Sequence, residues 1–439
     1  MLEFHKTISG NLMLRFSAST AGDMNIENLR TALFNYILSV QKNEGLIIRI
    51  EDTDKEQAIE GKDQEIIGLL DLFGVKYKDV IYQSASLKYH RAMALQLLHE
   101  KIAFNCFCTK NTLNTKKEQA KIDQVPYRYD DACLSLTPEE TIDREDSFTV
   151  RLRKPNVDVE FTDIIKGDMK FSPHDIDSFI ILRADKSPSY NFACAIDDMI
   201  ADISMVIRSE NHLSDTPKQI VTRAALNYTK EIIYAHFPSL ISKSGEETMN
   251  VKWLLEQGFI PAAIINYLLL IGNDKAPQKI FELEDAIKWF DLCAISKEAV
   301  TYDVKQLRSI NTKHLNALDD VELSRYVGFA DKDIGKLAKL YLDEVSTTKE
   351  LKVKIAAIFS QKNLPENMNA ILENMKNAIQ AAPYFDKYDA FKAHIMKESD
   401  LNEENFIRAL RLLLTGCESG PEPSDMYAYL KNYLPEIIK

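Results

Sequence analysis

Long hydrophobic runs are missing from this 439-residue chain. No segment approaches the ~18 consecutive apolar residues that a membrane-spanning helix needs. The N-terminal run Met1-Leu2-Glu3-Phe4-His5-Lys6 lacks a basic flank leading into an apolar core, so no secretory signal is read there. Cysteine is scarce: six residues, unevenly spread, are too few for a disulfide framework in a chain of this length. A surplus of positive charge is lacking as well, since the formal net charge is −12. That excludes a general nucleic-acid coat protein but leaves room for an RNA enzyme with a local basic surface. Repeats and low-complexity tracts are also missing. The setting these absences imply is the cytoplasm, with no membrane partner. What remains is ordinary for a globular protein, 45% hydrophobic and 27% charged residues, and the length predicts two to four domains.

The most informative stretch is Leu46-Ile47-Ile48-Arg49-Ile50-Glu51-Asp52-Thr53-Asp54. Its aliphatic run reads as a strand buried on both faces, as inside a parallel sheet. The strand ends abruptly in carboxylates, and ligands of open α/β sheets bind at the carboxyl ends of strands. Upstream, Leu29, Ala32, Leu33, Tyr36, Ile37 and Val40 fall at helical spacing, as Met93, Leu97 and Leu98 do further on. Residues 106–175 change character, with cysteines, lysines, polar loops and short strand-like pieces such as Phe148–Leu152, and read as an insertion. Ser178–Arg183 and Met205–Arg208 read as strands again, and Thr216-Pro217 reads as the cap and first turn of a helix. From 251 onward the pattern is almost wholly helical, with Leu268–Ile271 closing on Gly272 as one helix end.

Arg15-Phe16-Ser17-Ala18-Ser19, the helical segment beginning Asn28-Leu29-Arg30, and the acidic strand end together resemble the bacterial-type glutamyl-tRNA synthetase family. The resemblance implies an α/β plus all-α fold. A split Rossmann-like class I catalytic domain occupies 1–105 and 176–240, interrupted by a connective insertion at 106–175 that meets the tRNA acceptor end. A stem-contact region at 241–310 carries a loop similar to Lys-Met-Ser-Lys-Ser, and an all-α anticodon-binding domain fills 311–439. Asp303, Lys305, Leu307, Asn311 and Leu315 are similar to the family's stem-contact junction, and Arg408–Gly416 to part of its anticodon domain.

Family members carry Arg-Phe-Ala-Pro-Ser-Pro-Thr-Gly and then His-Ile-Gly-His or His-Ile-Gly-Asn at a helix start. There, free N–H groups and the helix dipole meet the phosphates of ATP. This chain matches at Arg15, Ser19, Gly22, Ile26, Asn28 and Arg30, but has Asn25 for the histidine and Glu27 for the glycine. The resemblance places Asn25 among the catalytic groups and Ile26, Glu27 and Asn28 in ATP binding. Losing the charge assistance of histidine at Asn25 costs ~1–2 kcal/mol. A Glu27 carboxylate ~5 Å from a phosphate charge is repelled by ~3 kcal/mol at an effective dielectric near 20. Together these imply a loss of roughly 10³-fold in turnover. The alternative is that Asn25 and Glu27 simply cap and charge the first turn of a structural helix. The family's second ATP element, Lys-Leu-Ser-Lys-Arg or Lys-Met-Ser-Lys, corresponds to Leu240-Ile241-Ser242-Lys243-Ser244. Ser242 and Lys243 match it, and Lys243 is the expected catalytic phosphate ligand.

The glutamate pocket implied by the resemblance consists of Arg15, Ser19, Glu51, Tyr190 and Arg208. Arginines grip carboxylates in bidentate fashion, so Arg208 is assigned the side-chain carboxylate and Glu51 the α-ammonium. The alternative for Glu51 is a buried ion pair with an arginine that only fixes the sheet. Asp197-Asp198 is either structural or close to the adenosine. Cys106-Phe107-Cys108 with Tyr129 and Cys133 is similar to a Cys-x-Cys, Tyr-x₃-Cys knuckle of some family members, which implies one structural Zn²⁺. The alternative is three free thiols in a small loop domain. Cys194, Cys293 and Cys417 read as buried apolar fillers.

The resemblance implies ATP-dependent ligation of L-glutamate to tRNA through a glutamyl-adenylate, with Mg²⁺ accompanying ATP. The tRNA partner is the glutamate isoacceptor, the glutamine isoacceptor or both, and a monomer is expected. Lys110, Lys116, Lys117, Lys121 and Arg128 are basic residues of the insertion that could meet the acceptor stem, although solvated lysines are common in loops. The rival reading is an impaired paralogue that binds tRNA or glutamate without activating it.

Overall fold

The computed structural model describes residues 13–438 apart from 55, 143, 244 and 278. The N-terminal run read above for a leader, and Ser244 of the phosphate loop, lie outside the described residues. The first strands are β1 (Met13–Ser19), β2 (Gly45–Glu51), β3 (Asp79–Tyr82), β4 (Ala103–Cys106) and β5 (Thr149–Leu152). They are followed by β6 (Val159–Asp163), β7 (Gly167–Phe171), β8 (Phe179–Leu182), β9 (Ile203–Ser209), β10 (Ile233–Phe237), β11 (Leu240–Ser242) and β12 (Val300–Tyr302).

Seven strands form one sheet in the order β3-β2-β1-β9-β10-β6-β7. All its neighbours are parallel except the β6–β7 hairpin. β2 is the aliphatic run expected inside a parallel sheet, with Leu46, Ile47, Ile48, Arg49 and Ile50 all buried. Between β1 and β9 the strand order switches direction, and such switch points leave a crevice at the carboxyl ends of the strands. Ser19, Glu51 and Ser209 are the last residues of β1, β2 and β9.

Helix α1 (Ile26–Lys42) covers this sheet, and of the six apolar positions read from its spacing all but Val40 are buried. Arg30 on this helix is fully buried, donating to the carbonyls of Leu268 and Ile271. It thereby ties the helical half to the sheet, and its burial lowers its pKa to about 10. The next residue, Gly272, has φ +64°, and a Cβ there would lie 2.6 Å from Val300. Only glycine fits the helix end that the sequence places there.

Two expectations about elements are corrected. Thr216 is not a helix cap: the helix Thr216–Ala225 begins after Asp215, and the Thr216 hydroxyl instead accepts from Arg208. Cys293, within the short turn Leu292–Ala294, and Cys417, just after the helix Glu403–Thr415, are exposed, while Cys194 is buried as expected. The span read as an insertion is also divided between sheets. β6 and β7, inside 106–175, join the seven-stranded sheet, whereas β4, β5 and β8 form a separate antiparallel sheet of three. β8 was read with the second catalytic half. Short apolar strands carry no signal of which sheet they join. The C-terminal part is helical from Val251 on, apart from β12, and no helix is long and apolar enough to cross a membrane among the described residues.

Candidate active site

A cleft of about 560 Å³ opens at the switch point. Arg15, Ser19, Asn25, Glu27, Asn28, Glu51, Tyr190 and Arg208, all expected from the sequence, line it together. Ile26 does not: its side chain is fully buried in the core. Ser242 and Lys243 lie outside the lining, at the end of β11 and just beyond it. The Ser242 hydroxyl donates to the Gly245 carbonyl at 2.9 Å, and Lys243 is exposed.

Three arginines line one side of the cleft, and their partners differ. Arg15 binds Asp198 through Nε at 3.2 Å and Nη2 at 3.5 Å. Arg49 binds Asp198 at 2.5 Å and Glu51 at 3.3 Å. Burial works against the Asp198 charge, but the two guanidinium groups hold its carboxyl far below the usual carboxylate range. Asp197 is also buried and meets His90 at 2.7 Å and Gln83 at 2.9 Å. Both aspartates are therefore committed to structural contacts. Glu51 makes the arginine pair that was the alternative for it, yet it still faces the cleft.

Arg208 is different. It is only 5% exposed, yet its partners are neutral: Nε donates to His236 Nε2 at 3.1 Å and Nη2 to Thr216 Oγ1 at 2.7 Å. Among the described residues no carboxylate pairs with it, and Nη1 has no hydrogen-bond partner. Tyr190 stands beside it in the lining, its hydroxyl 3.4 Å from His212 Nδ1, and burial keeps that phenol protonated. Asp215 lines the same cleft and feels the Arg208 charge, but it bonds His212 and Asn191 and not the guanidinium. A buried guanidinium that no carboxylate bonds directly, in an open cleft, is arranged for an anionic ligand.

The opposite side is formed by the start of α1. Asn25 Oδ1 accepts the Asn28 N–H at 2.9 Å, and Asn28 Oδ1 accepts the Asn25 N–H at 3.1 Å. This reciprocal capping box answers helix-end donors with the protein's own side chains. Glu27 Oε1 accepts the Leu240 N–H at 2.6 Å, while Oε2 lies 3.4 Å from Asn211 Nδ2 and 3.5 Å from Ser209 Oγ. The carboxylate thus bridges the helix start to β11. Further on, Val251 N–H donates to the Met24 carbonyl at 3.1 Å. The two segments read as ATP elements are therefore stitched to each other.

In the three-stranded region, Cys106, Cys108 and Cys133 converge with their sulfurs within 4.8 Å of one another. Tyr129 Oη lies 3.3 Å from Cys106 Sγ and 3.7 Å from Cys108 Sγ, and the Tyr129 ring stacks on Arg151 at 3.7 Å. Burial opposes the Cys106 thiolate, but bonds from Tyr129, the Cys108 amide and Arg151 bring that thiol down to about 7. Burial and the adjoining thiols push Cys108 up to about 11. Three thiols so close cannot all ionise by themselves, whereas a divalent cation would compensate them. The donor set fits zinc: three soft sulfurs and an oxygen around one centre. The neighbouring helix Lys110–Ile122 buries none of its residues, and Lys116 and Lys121 are paired with Asp130 and Glu118.

Sequence reasoning missed His236 and Thr216, which bond Arg208, and Asp163 behind His236. Of the three, His236 becomes visible through strand pairing, since it lies opposite Arg208 between β10 and β9.

The model of the tRNA synthetases class I (E and Q) catalytic domain matches residues 11–309. Glutamate–tRNA ligase 2 of Sulfurimonas denitrificans is 54% identical over 433 residues, covering 97% of this chain and all of that one. Glutamate–tRNA ligase 1 of a Nitratiruptor strain is 47% identical with the same coverage. Among solved structures, a glutamate tRNA ligase from Elizabethkingia meningosepticum aligns with a TM-score of 0.80 at 20% identity, covering 98% of each chain. The glutamate-tRNA synthetase of Elizabethkingia anophelis gives 0.81 at 20% identity, covering 98% of this chain and 99% of that one. At that identity the likeness is one of fold.

Proposed function

The chain belongs to the class I tRNA synthetases for glutamate and glutamine, in their bacterial glutamyl form, and from that membership we propose that it ligates L-glutamate to tRNA. The observation that carries the substrate is Arg208, a buried cation in the cleft without a carboxylate partner. Its Nη1 receives the side-chain carboxylate of glutamate, Glu51 takes the α-ammonium, and Arg15, Ser19 and Tyr190 complete the pocket. In the first step an α-carboxylate oxygen attacks the α-phosphorus of ATP and pyrophosphate leaves, giving glutamyl-adenylate. In the second, a terminal ribose hydroxyl of tRNA attacks the acyl carbon and AMP leaves. Orientation and charge stabilisation suffice for both steps. Mg²⁺ arrives with ATP, and Asn25, the α1 start through Ile26–Asn28, Ser242 and Lys243 attend the phosphates.

Residues 1–105 and 176–240 are assigned as the catalytic halves. The insertion at 106–175 meets the acceptor end, 241–310 the stem and 311–439 the anticodon, in the isoacceptor for glutamate, glutamine or both. Cys106, Cys108, Cys133 and Tyr129 would hold one Zn²⁺, which when bound cross-links the loops of the insertion. The protein acts as a cytoplasmic monomer.

The test is aminoacylation of total tRNA with labelled glutamate and ATP. Label on the tRNA 3′ end supports the ligase. Glutamate or tRNA binding without acylation would support a binding paralogue instead.

A further inference from the structure

Behind Arg208 lies a buried chain of three groups on three elements. Asp163 ends β6, His236 is the penultimate residue of β10 and Thr216 opens the helix Thr216–Ala225. Asp163, His236 and Thr216 are all buried to 1% exposure or less. The Asp163 carboxylate accepts the His236 Nδ1–H at 2.7 Å and the His236 backbone N–H at 3.0 Å. It also accepts the backbone N–H groups of Ile165 and Lys166, each at 2.9 Å. With its lone pairs answered by donors, an ionised carboxylate fixes the imidazole proton on Nδ1. His236 Nε2 is then an acceptor, and it faces the Arg208 Nε–H at 3.1 Å. An imidazolium would set two donors head to head, so the geometry selects the neutral ring. Burial, which lowers the pKa of His236, acts in the same direction.

We propose that Asp163, His236 and Thr216 are a positioning relay that aims Arg208 at the substrate side chain without neutralising it, and so sets the preference for glutamate over glutamine. The inference rests on the assignment of Arg208 as the side-chain ligand made above. The contrast with Arg15 shows why neutrality matters. Arg15 is held by a carboxylate and presents a compensated charge. Arg208 is held by an imidazole and a hydroxyl, with the Asp163 charge one ring away. The nearby Asp215 is bonded to His212 and Asn191 instead, so a directly bonded carboxylate must come from the ligand, and the amide of glutamine supplies no charge there.

The experiment is calorimetric titration of the full-length protein with glutamate, glutamine and ATP in turn, which requires no turnover. His236→Leu removes the acceptor at similar volume, His236→Gln restores one, and Thr216→Val removes the Nη2 partner. The relay predicts that His236→Leu weakens glutamate about tenfold or more, the scale of a hydrogen bond to a charged group. It also predicts a narrowed gap to glutamine, an unchanged Kd for ATP, and recovery of most of the loss in His236→Gln. Thr216→Val weakens glutamate severalfold, and it carries the test if His236→Leu does not fold. Folded His236→Leu or Thr216→Val protein that binds glutamate as before would overturn the relay, while Arg208→Ala reports on the pocket separately. If Arg208→Ala also binds glutamate normally, the pocket assignment fails and the relay with it.

Discussion

The two sides of the cleft follow opposite electrostatic plans. On the amino-acid side a buried guanidinium is left without a carboxylate, held in place by neutral groups. On the nucleotide side the helix-end donors and the one carboxylate are already answered by the protein: Asn28 by Asn25, and Glu27 by the Leu240 amide. The first side is prepared for an anion, while on the second the Glu27 carboxylate and the Asn28 amide already have partners within the protein. A nucleotide entering there must release the Glu27 contact, a bond worth about 1–3 kcal/mol when one partner is charged. Glu27, which departs from the family, thus meets the backbone at Leu240, a position that any residue's amide would serve.

The strongest way to break the contrast is to restore the nucleotide side. Asn25→His with Glu27→Gly is expected to raise kcat/KM for ATP by roughly 10³-fold, the sum of the repulsion and lost charge assistance. Steady-state acylation at saturating glutamate checks it, and an unchanged value would mean that Glu27 does not obstruct ATP. The amino-acid side is broken by Arg208→Ala, expected to raise the KM for glutamate about 10²-fold through loss of charge-assisted bonds. ATP kinetics should remain nearly constant, and a parallel rise for ATP would dissolve the distinction between the sides. Lys243→Ala should lower kcat about tenfold with little change in glutamate KM. Smallest for catalysis is the thiol cluster: the purified protein should contain about one zinc per chain, the number that a closed three-sulfur site implies. Cys133→Ser should reduce that content and lower the melting temperature while leaving glutamate affinity intact.

What the sequence could reveal follows the range of the interactions. β2 and α1 were legible because a continuous aliphatic run and a 3.6-residue period are local signals. The cleft lining was legible from family resemblance, and eight expected residues do meet there. Glu27 and Leu240 are 213 residues apart, and Asp163 and His236 are 73 apart, so no local pattern announces either contact. Thr216 was misread for the same reason: a threonine before a proline resembles a cap, yet its hydroxyl was taken by an arginine on a neighbouring strand. Cys293 and Cys417 were misread because nothing local announces whether a lone cysteine is buried: one lies in the short turn Leu292–Ala294 and the other in the loop after Gly416.

A structure with a non-hydrolysable glutamyl-adenylate mimic tests the account most directly. It should show the side-chain carboxylate on Arg208 Nη1, with His236 and Thr216 unmoved and Glu27 rotated away from the Leu240 amide. A carboxylate seated away from Arg208, or adenosine bound while Glu27 still grips Leu240, would contradict it.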